Sequence, residues 1–228
     1  MHRLEACVFD LDGVIVDTAK YHYQAWKDLA NSLGFDFSEA QNELLKGVSR
    51  MGSLDLILQW GGVEKSKKEK EALAAWKNEH YLELIESLGI QDALPGVVDF
   101  LKELSKHGIK IGLGSASKNA VKIISKLKLN SHFDAIVDGT QVTNGKPHPE
   151  TFQLACEKLK VAPKNTIVFE DAPKGVQAAL SGGMVAVGVG SEESLSEAHL
   201  VIAGFESLYL EHLINKLPTL ELTASTSN

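Results

Sequence analysis

A chain of 228 residues can bury a sizeable core, as one large domain or as a domain carrying an insertion. Its 44% hydrophobic and 23% charged content is that of an ordinary soluble globular protein. A formal net charge of −7, with no basic run interleaved with aromatics, argues against nucleic acid or an anionic membrane as the main partner.

The N-terminal residues Met1-His2-Arg3-Leu4-Glu5 lead directly into an apolar strand at 6–9, with no signal-peptide h-region. No 18-residue apolar segment suited to a membrane span follows. Cys7 lies inside that strand and Cys156 inside a helical pattern, so both read as buried reduced thiols of a cytoplasmic protein. The strand ends in Asp10-Leu11-Asp12-Gly13, and Val14-Ile15-Val16-Asp17 follows. Asp-Gly between two apolar runs is a hairpin signal. A buried strand that delivers carboxylates at its C-terminal end is also where parallel sheets place their chemistry.

Residues 21–33 carry Tyr21, Ala25, Leu29 and Leu33 at helical spacing, with Gly34 as the stop. A second helix is expected over 38–45, capped by Ser38, and Gly47 breaks it. A third covers 51–60 before Gly61-Gly62. The mixed-sign run 64–71 opens a long solvated helix reaching Leu88 and is no binding patch. Residues 18–89 thus read as all-helical.

From Leu94 the texture alternates. Helices are expected at 96–106, 119–127, 150–159, 175–180 and 207–214, and strands at 109–113, 135–137, 166–169, 184–189 and 200–202. The small polar tail 223–228 should fray. Alternating strands and helices predict an α/β fold, a parallel sheet covered on both faces. The strand at 6–9 needs that sheet to be buried, and Val14-Ile15-Val16 leads into helices, so the hairpin fails. The expected domains are a Rossmann-like core of 1–17 and 90–228 and a helical insert of 18–89.

Each strong strand then ends in polar groups. Asp10 and Asp12 follow the first. Gly114-Ser115-Ala116-Ser117 follow the second, before a helix whose free N–H groups favour an anion, though simple N-capping would use the same serines. Lys146-Pro147-His148-Pro149 follows the third, with prolines fixing the backbone beside a cation. Glu170-Asp171 follows the fourth, where helix capping is the plainer reading. Together they place four carboxylates, a lysine and a serine at one sheet edge. Such carboxylates repel unless a cation joins them, and hard oxygen donors suit Mg²⁺ shared with substrate phosphate. Bound metal, nucleophile and cationic donors are the parts phosphoryl transfer requires.

In this order Asp10-Leu11-Asp12-Gly13, Ser115, Lys146 and Glu170-Asp171 resemble the motifs of the haloacid dehalogenase superfamily over nearly the whole chain. The resemblance implies Asp10 as nucleophile, forming an aspartyl-phosphate, and Asp12 as general acid/base. It implies Mg²⁺ held by Asp10 and Asp171, less surely Glu170, and by the backbone carbonyl of Asp12. Ser115, Ala116 and Lys146 would hold the transferring phosphoryl group.

More narrowly, Asp17-Thr18-Ala19, His22, Trp26, Leu45-Lys46-Gly47-Val48-Ser49-Arg50, Lys77-Asn78 and Ser115-Ala116-Ser117-Lys118-Asn119 resemble the phosphosugar mutases of that superfamily. By that resemblance the insert is a mobile four-helix cap hinged at 14–18. Gly47, Val48, Ser49 and Arg50 would line a sugar and distal-phosphate site, with Ser117, Lys118 and Asn119 contributing from the core. His22 and Lys77 would couple cap closure to placement of Asp12. The implied reaction interconverts β-D-glucose 1-phosphate and glucose 6-phosphate through the 1,6-bisphosphate, in a monomer. A guanidinium at Arg50 suits a second, non-reacting phosphate, although a lone arginine is more often a surface residue. A sugar-phosphate phosphatase is the alternative. A non-catalytic relative would lack Asp10, Asp12 or Lys146, and all are present. Departures from the pattern are Gly145, His148 and Ala172, the last removing a hydroxyl beside the acidic pair.

Overall fold

The protein is described as a computed structural model covering residues 2–45, 48–217 and 220–222. It divides into two compact units, Met1–Asp17 with Gly89–Asn228, and Thr18–Leu88.

In the first unit, strands β1 (His2–Arg3), β2 (Ala6–Phe9), β3 (Lys110–Gly114), β4 (Ala135–Val137), β5 (Thr166–Glu170), β6 (Val185–Val189), β7 (Leu200–Ile202) and β8 (Leu220–Glu221) occur. Six of them form one sheet in the order β4-β3-β2-β5-β6-β7, every pairing parallel. β2 is apolar throughout and fully buried, as a strand flanked on both edges and both faces must be. Alternation along it covers both faces. Val8 packs into a cluster with Phe152, Ala155, Val168 and Val176. Phe9 turns the other way, stacked on Phe169 at 4.8 Å and set edge-on to Phe100 at 6.4 Å. Helices α5 (Val97–Lys106), α6 (Ala120–Lys126), α7 (Glu150–Leu159), α8 (Pro173–Ser181) and α9 (Leu210–Asn215) complete the unit.

The pairing order reverses at β2: the chain moves from β2 to β3 and β4 on one side, then returns to β5 on the other. That reversal opens a crevice beyond the carboxyl ends of β2 and β5, where open α/β sheets bind ligands.

The second unit contains α1 (Ala19–Ser32), α2 (Glu39–Glu43), α3 (Arg50–Trp60) and α4 (Lys67–Leu84), with no strand among its described residues. Trp26, Leu29, Phe37, Leu54, Ile57 and Ala74 form its core. Ser38 with Gln41, and Ser66 with Glu69, make reciprocal capping boxes that start α2 and α4. Gly34, at φ 88°, ends α1 in the left-handed conformation that glycine adopts without strain.

Several boundaries differ from expectation. α4 stops at Leu84, short of Leu88, because its last turn closes onto Ile85 and a turn follows. α9 begins at Leu210, since Ser207 sits at φ 60° and cannot open a right-handed helix. β1 pairs with β8 in a separate two-stranded sheet that carries no periodicity. The expected break at Gly47 and the tail 223–228 lie outside the described residues.

Candidate active site

Register fixes which strand ends meet. Phe9 pairs with both Leu113 and Phe169, so Asp10 emerges beside Gly114 and Glu170, and Ser115 stands one residue further along β3. The Asp10 N–H still donates to the Phe169 carbonyl at 2.9 Å, holding this residue to the ladder. The chain then coils tightly. Gly13 N–H donates to Val16 O at 2.9 Å, and Ile15 and Val16 N–H both reach Leu11 O. Asp12 N–H donates to Asp10 Oδ2 at 3.1 Å, which orients the Asp10 carboxylate.

The other Asp10 oxygen, Oδ1, accepts from Lys146 Nζ at 2.5 Å, and the same ammonium donates to Glu170 Oε1 at 2.5 Å. All three residues are buried. Glu170 Oε2 accepts from Ala172 N–H at 2.8 Å, so both its oxygens are engaged. The Phe152 ring lies 4.6 Å from Lys146 Nζ, within cation–π range. Burial alone would pull the Lys146 pKa down, but the Asp10 and Glu170 charges more than offset it, and the ammonium is held protonated. Burial pushes the Glu170 carboxyl above its usual range, against the pull of Lys146 and with the repulsion of Asp10.

Asp171 packs against Gly13, whose missing Cβ leaves room for the carboxylate, and Gly175 leaves equivalent room for Glu170. After β3, buried Ser115 accepts from Ser117 N–H at 3.1 Å, which leaves the hydroxyl hydrogen to donate outward. Ser117 accepts in turn from Asn119 N–H at 3.2 Å, while Lys118 is exposed. Ala116 is held from the far side: Gly139 N–H donates to Ser117 O, and a Cβ on Gly139 would collide with Ala116 O.

The helical unit gathers its own polar group. Lys77 is buried, with Nζ 2.8 Å from His22 Nδ1 and lying over the rings of Trp26 and Tyr81. An ammonium only donates, so Nδ1 is the unprotonated ring nitrogen. His22 stacks on Tyr81 at 4.1 Å. Burial first, then the Lys77 and Arg50 charges, depress the His22 pKa well below its ordinary value, so the ring is neutral at neutral pH. Arg50 opens α3, half-buried, and desolvation lowers its pKa. Exposed Ser49 caps that helix by accepting from Gly52 N–H at 3.2 Å, and Val48 packs against Gly52. Gly47 lies outside the described residues.

Within the first unit, then, Asp10, Lys146 and Glu170 meet directly, Asp12 lies two residues along, and Asp171 sits over Gly13. Within the second, His22, Trp26 and Lys77 meet. Sequence reasoning missed Tyr81, Phe152, Gly139 and Gly175. Tyr81 carried a readable signal, since it lies one helical turn along α4 from Lys77; Phe152 and the glycines carried none.

Among the described residues, no group of three or more His, Cys, Asp or Glu converges to hold an ion by itself. The donor chemistry still fits a partly hydrated hard cation. Asp10 and Glu170 share a single ammonium, Asp171 stands beside them, and Mg²⁺ characteristically takes few protein carboxylates plus water and phosphate oxygens.

A doubly wound core with this carboxylate–lysine array defines a class of phosphoryl-transfer enzymes. Residues 4–183 match the haloacid dehalogenase-like hydrolases, and the chain belongs to that family. Membership implies a divalent metal. The chain is 44% identical over 212 residues to the β-phosphoglucomutase of Bacillus subtilis (strain 168), covering 92% of this chain and 94% of that one. It is 32% identical over 184 residues to a phosphorylated carbohydrates phosphatase of Thermotoga maritima, covering 79% and 82%. The crystal structure of a β-phosphoglucomutase from Clostridium difficile matches with a TM-score of 0.91 at 44% identity, covering 94% of this chain and 97% of that one.

Proposed function

We propose that this chain is a Mg²⁺-dependent β-phosphoglucomutase, interconverting β-D-glucose 1-phosphate and glucose 6-phosphate through β-glucose 1,6-bisphosphate. The observation that carries phosphoryl transfer is the buried Lys146 ammonium bridging Asp10 and Glu170. It stabilises a carboxylate nucleophile without neutralising it and sits where phosphoryl oxygens would gain negative charge. Resemblance to the mutases at 44% identity supports the choice of reaction.

In this reading phosphorylated Asp10 gives its phosphoryl group to the 6-hydroxyl of β-D-glucose 1-phosphate, Asp12 taking the hydroxyl proton as the bond from Asp10 to phosphorus breaks. The bisphosphate so formed turns round, Asp10 attacks the phosphorus at C1 while its bond to the C1 oxygen breaks, and Asp12 returns the proton to that oxygen, which releases glucose 6-phosphate and restores the aspartyl-phosphate. Mg²⁺, on Asp10, Asp171, the Asp12 carbonyl and Glu170, would offset charge on the transferring group. Ser115, Ala116 and Lys146 bind that group, with Ser117, Lys118 and Asn119 contributing to the sugar site. Arg50, with Gly47, Val48 and Ser49, holds the non-reacting phosphate. Its half-buried guanidinium gains most from an anionic partner. His22 and Lys77, which meet within the helical unit, would by the resemblance couple its movement to the placement of Asp12. Among the described residues no helix is long and apolar enough to cross a membrane. Two free, buried thiols support a cytoplasmic enzyme, and the resemblance supports a monomer.

The phosphatase relatives favour a second reading, in which water attacks the aspartyl-phosphate. The test supplies β-glucose 1-phosphate, Mg²⁺ and trace bisphosphate, and follows glucose 6-phosphate and inorganic phosphate separately. Glucose 6-phosphate without free phosphate is expected; mainly free phosphate assigns the hydrolase. Arg50→Ala should collapse mutase turnover while Asp10 is still phosphorylated, and unchanged turnover would overturn the second phosphate site.

A further inference from the structure

We infer that Glu150 is a positioning residue: its carboxylate clasps the loop that delivers Lys146 to Asp10, a role that rests on the phosphoryl-transfer reading above. Lys146 is buried, yet residues 143–145 before it and Pro147 and His148 after it are exposed. A buried ammonium carried by a solvated loop needs an anchor outside itself. Thr143 N–H donates to Glu150 Oε1 at 2.7 Å, and Asn144 N–H and Nδ2 donate to Oε2 at 2.9 and 2.8 Å. Three charge-assisted bonds therefore converge on one carboxylate and fix the two residues that lead into Gly145 and Lys146.

The bland alternative is an acidic residue in the first turn of α7, favoured by the helix dipole. That reading does not account for the direction of the bonds, which go to the loop and not to N–H groups of α7. The loop is also closed from its far side. His148 N–H donates to Gly145 O at 3.1 Å, and Glu150 N–H donates to His148 Nδ1 at 3.3 Å. Two residues along α7, Phe152 places its ring under Lys146 Nζ. One helix end thus holds the loop through Glu150 and the lysine through Phe152. The Thr143 and Asn144 donors keep the Glu150 carboxyl below its ordinary range, so the clasp is ionised at neutral pH.

Misplacing a catalytic group by about 1 Å can cost up to roughly 100-fold in rate. In the full-length enzyme, Glu150→Ala should lower kcat by roughly tenfold or more with little change in KM, because the loss falls on the transferring group. Glu150→Gln should behave similarly, since its amide N–H₂ faces donors, and Glu150→Asp should recover part of the rate. Two readouts do not depend on turnover: exchange of the Thr143 and Asn144 amides, and acetylation of Lys146 by acetic anhydride, followed by peptide mass spectrometry. Both should accelerate in Glu150→Ala while the thermal midpoint stays close to wild type. Unchanged kcat with unchanged Lys146 acetylation overturns the proposal, as does a rate loss that merely tracks loss of folded protein. If the wild-type enzyme turns over no sugar phosphate, the phosphoryl-transfer reading fails, and acetylation and exchange still decide the clasp.

Discussion

Gly175 lies in the first turn of α8, where a Cβ would fall well inside contact distance of the Glu170 carboxylate. Glu170 cannot simply swing aside, because one oxygen is bonded to Lys146 and the other to the Ala172 N–H, and the group is buried. Gly175→Ala should therefore break one of these bonds and strand a buried polar group, costing about 1–3 kcal/mol. The urea midpoint should fall and turnover should fall with it, as Lys146 loses half of its anchor. Gly204→Ala, where nothing lies within 4 Å, is the matched control. A Gly175→Ala protein as stable as the control would show that the pocket gives way freely.

Pairs of elements in the helical unit are tied by polar contacts as well as by the core. His80 on α4 donates through Nε2–H to Asp28 Oδ2 on α1 at 2.8 Å, with Glu83 Oε2 at 3.5 Å from Nδ1 and Trp76 stacked on the ring. The bond to Asp28 is the main cause that raises the His80 pKa, burial opposing it and Glu83 adding to it. A raised histidine pKa gives stability that is complete below the unfolded value of about 6.5 and fades as pH climbs through the folded value. Both side chains are partly solvated, which limits the effect to under about 1 kcal/mol. His80→Gln should thus lower the denaturation midpoint at about pH 5.5 and converge on wild type at about pH 8.5. A difference that grows with pH would contradict the ion pair.

Across the whole molecule, the crevice beyond β2 and β5 concentrates anionic groups on one ammonium, a state that a divalent cation would relieve. A ligand that binds only the folded chain stabilises it by mass action, by about 2.7 kcal/mol at a hundredfold excess over its Kd. Mg²⁺ should accordingly raise the thermal midpoint in a saturable way, and a chelator should reverse the shift. Asp171→Asn should abolish most of it. A midpoint indifferent to Mg²⁺ in the wild-type chain would remove the metal from the site.

Local pattern carried the architecture. The apolar run ending at Phe9, the alternation after Leu94 and the helical spacing of 18–89 sufficed to predict a central parallel strand, a covered sheet and an all-helical insert. The strand-end placement of Asp10, Asp12, Ser115, Glu170 and Asp171 was legible too, because an apolar run stops abruptly just before them, whereas Lys146 lies in a loop well past β4 and was marked only by the prolines that follow it. What periodicity cannot express is register. Lys146 bonds to a residue 136 positions away and to another 24 positions away, and only the Phe9–Phe169 pairing brings those two together. The same holds for the room that Gly13 and Gly175 leave, for Tyr81 under His22 and for the Glu150 clasp. Each depends on an approach set by packing, where the residue type alone is compatible with several roles.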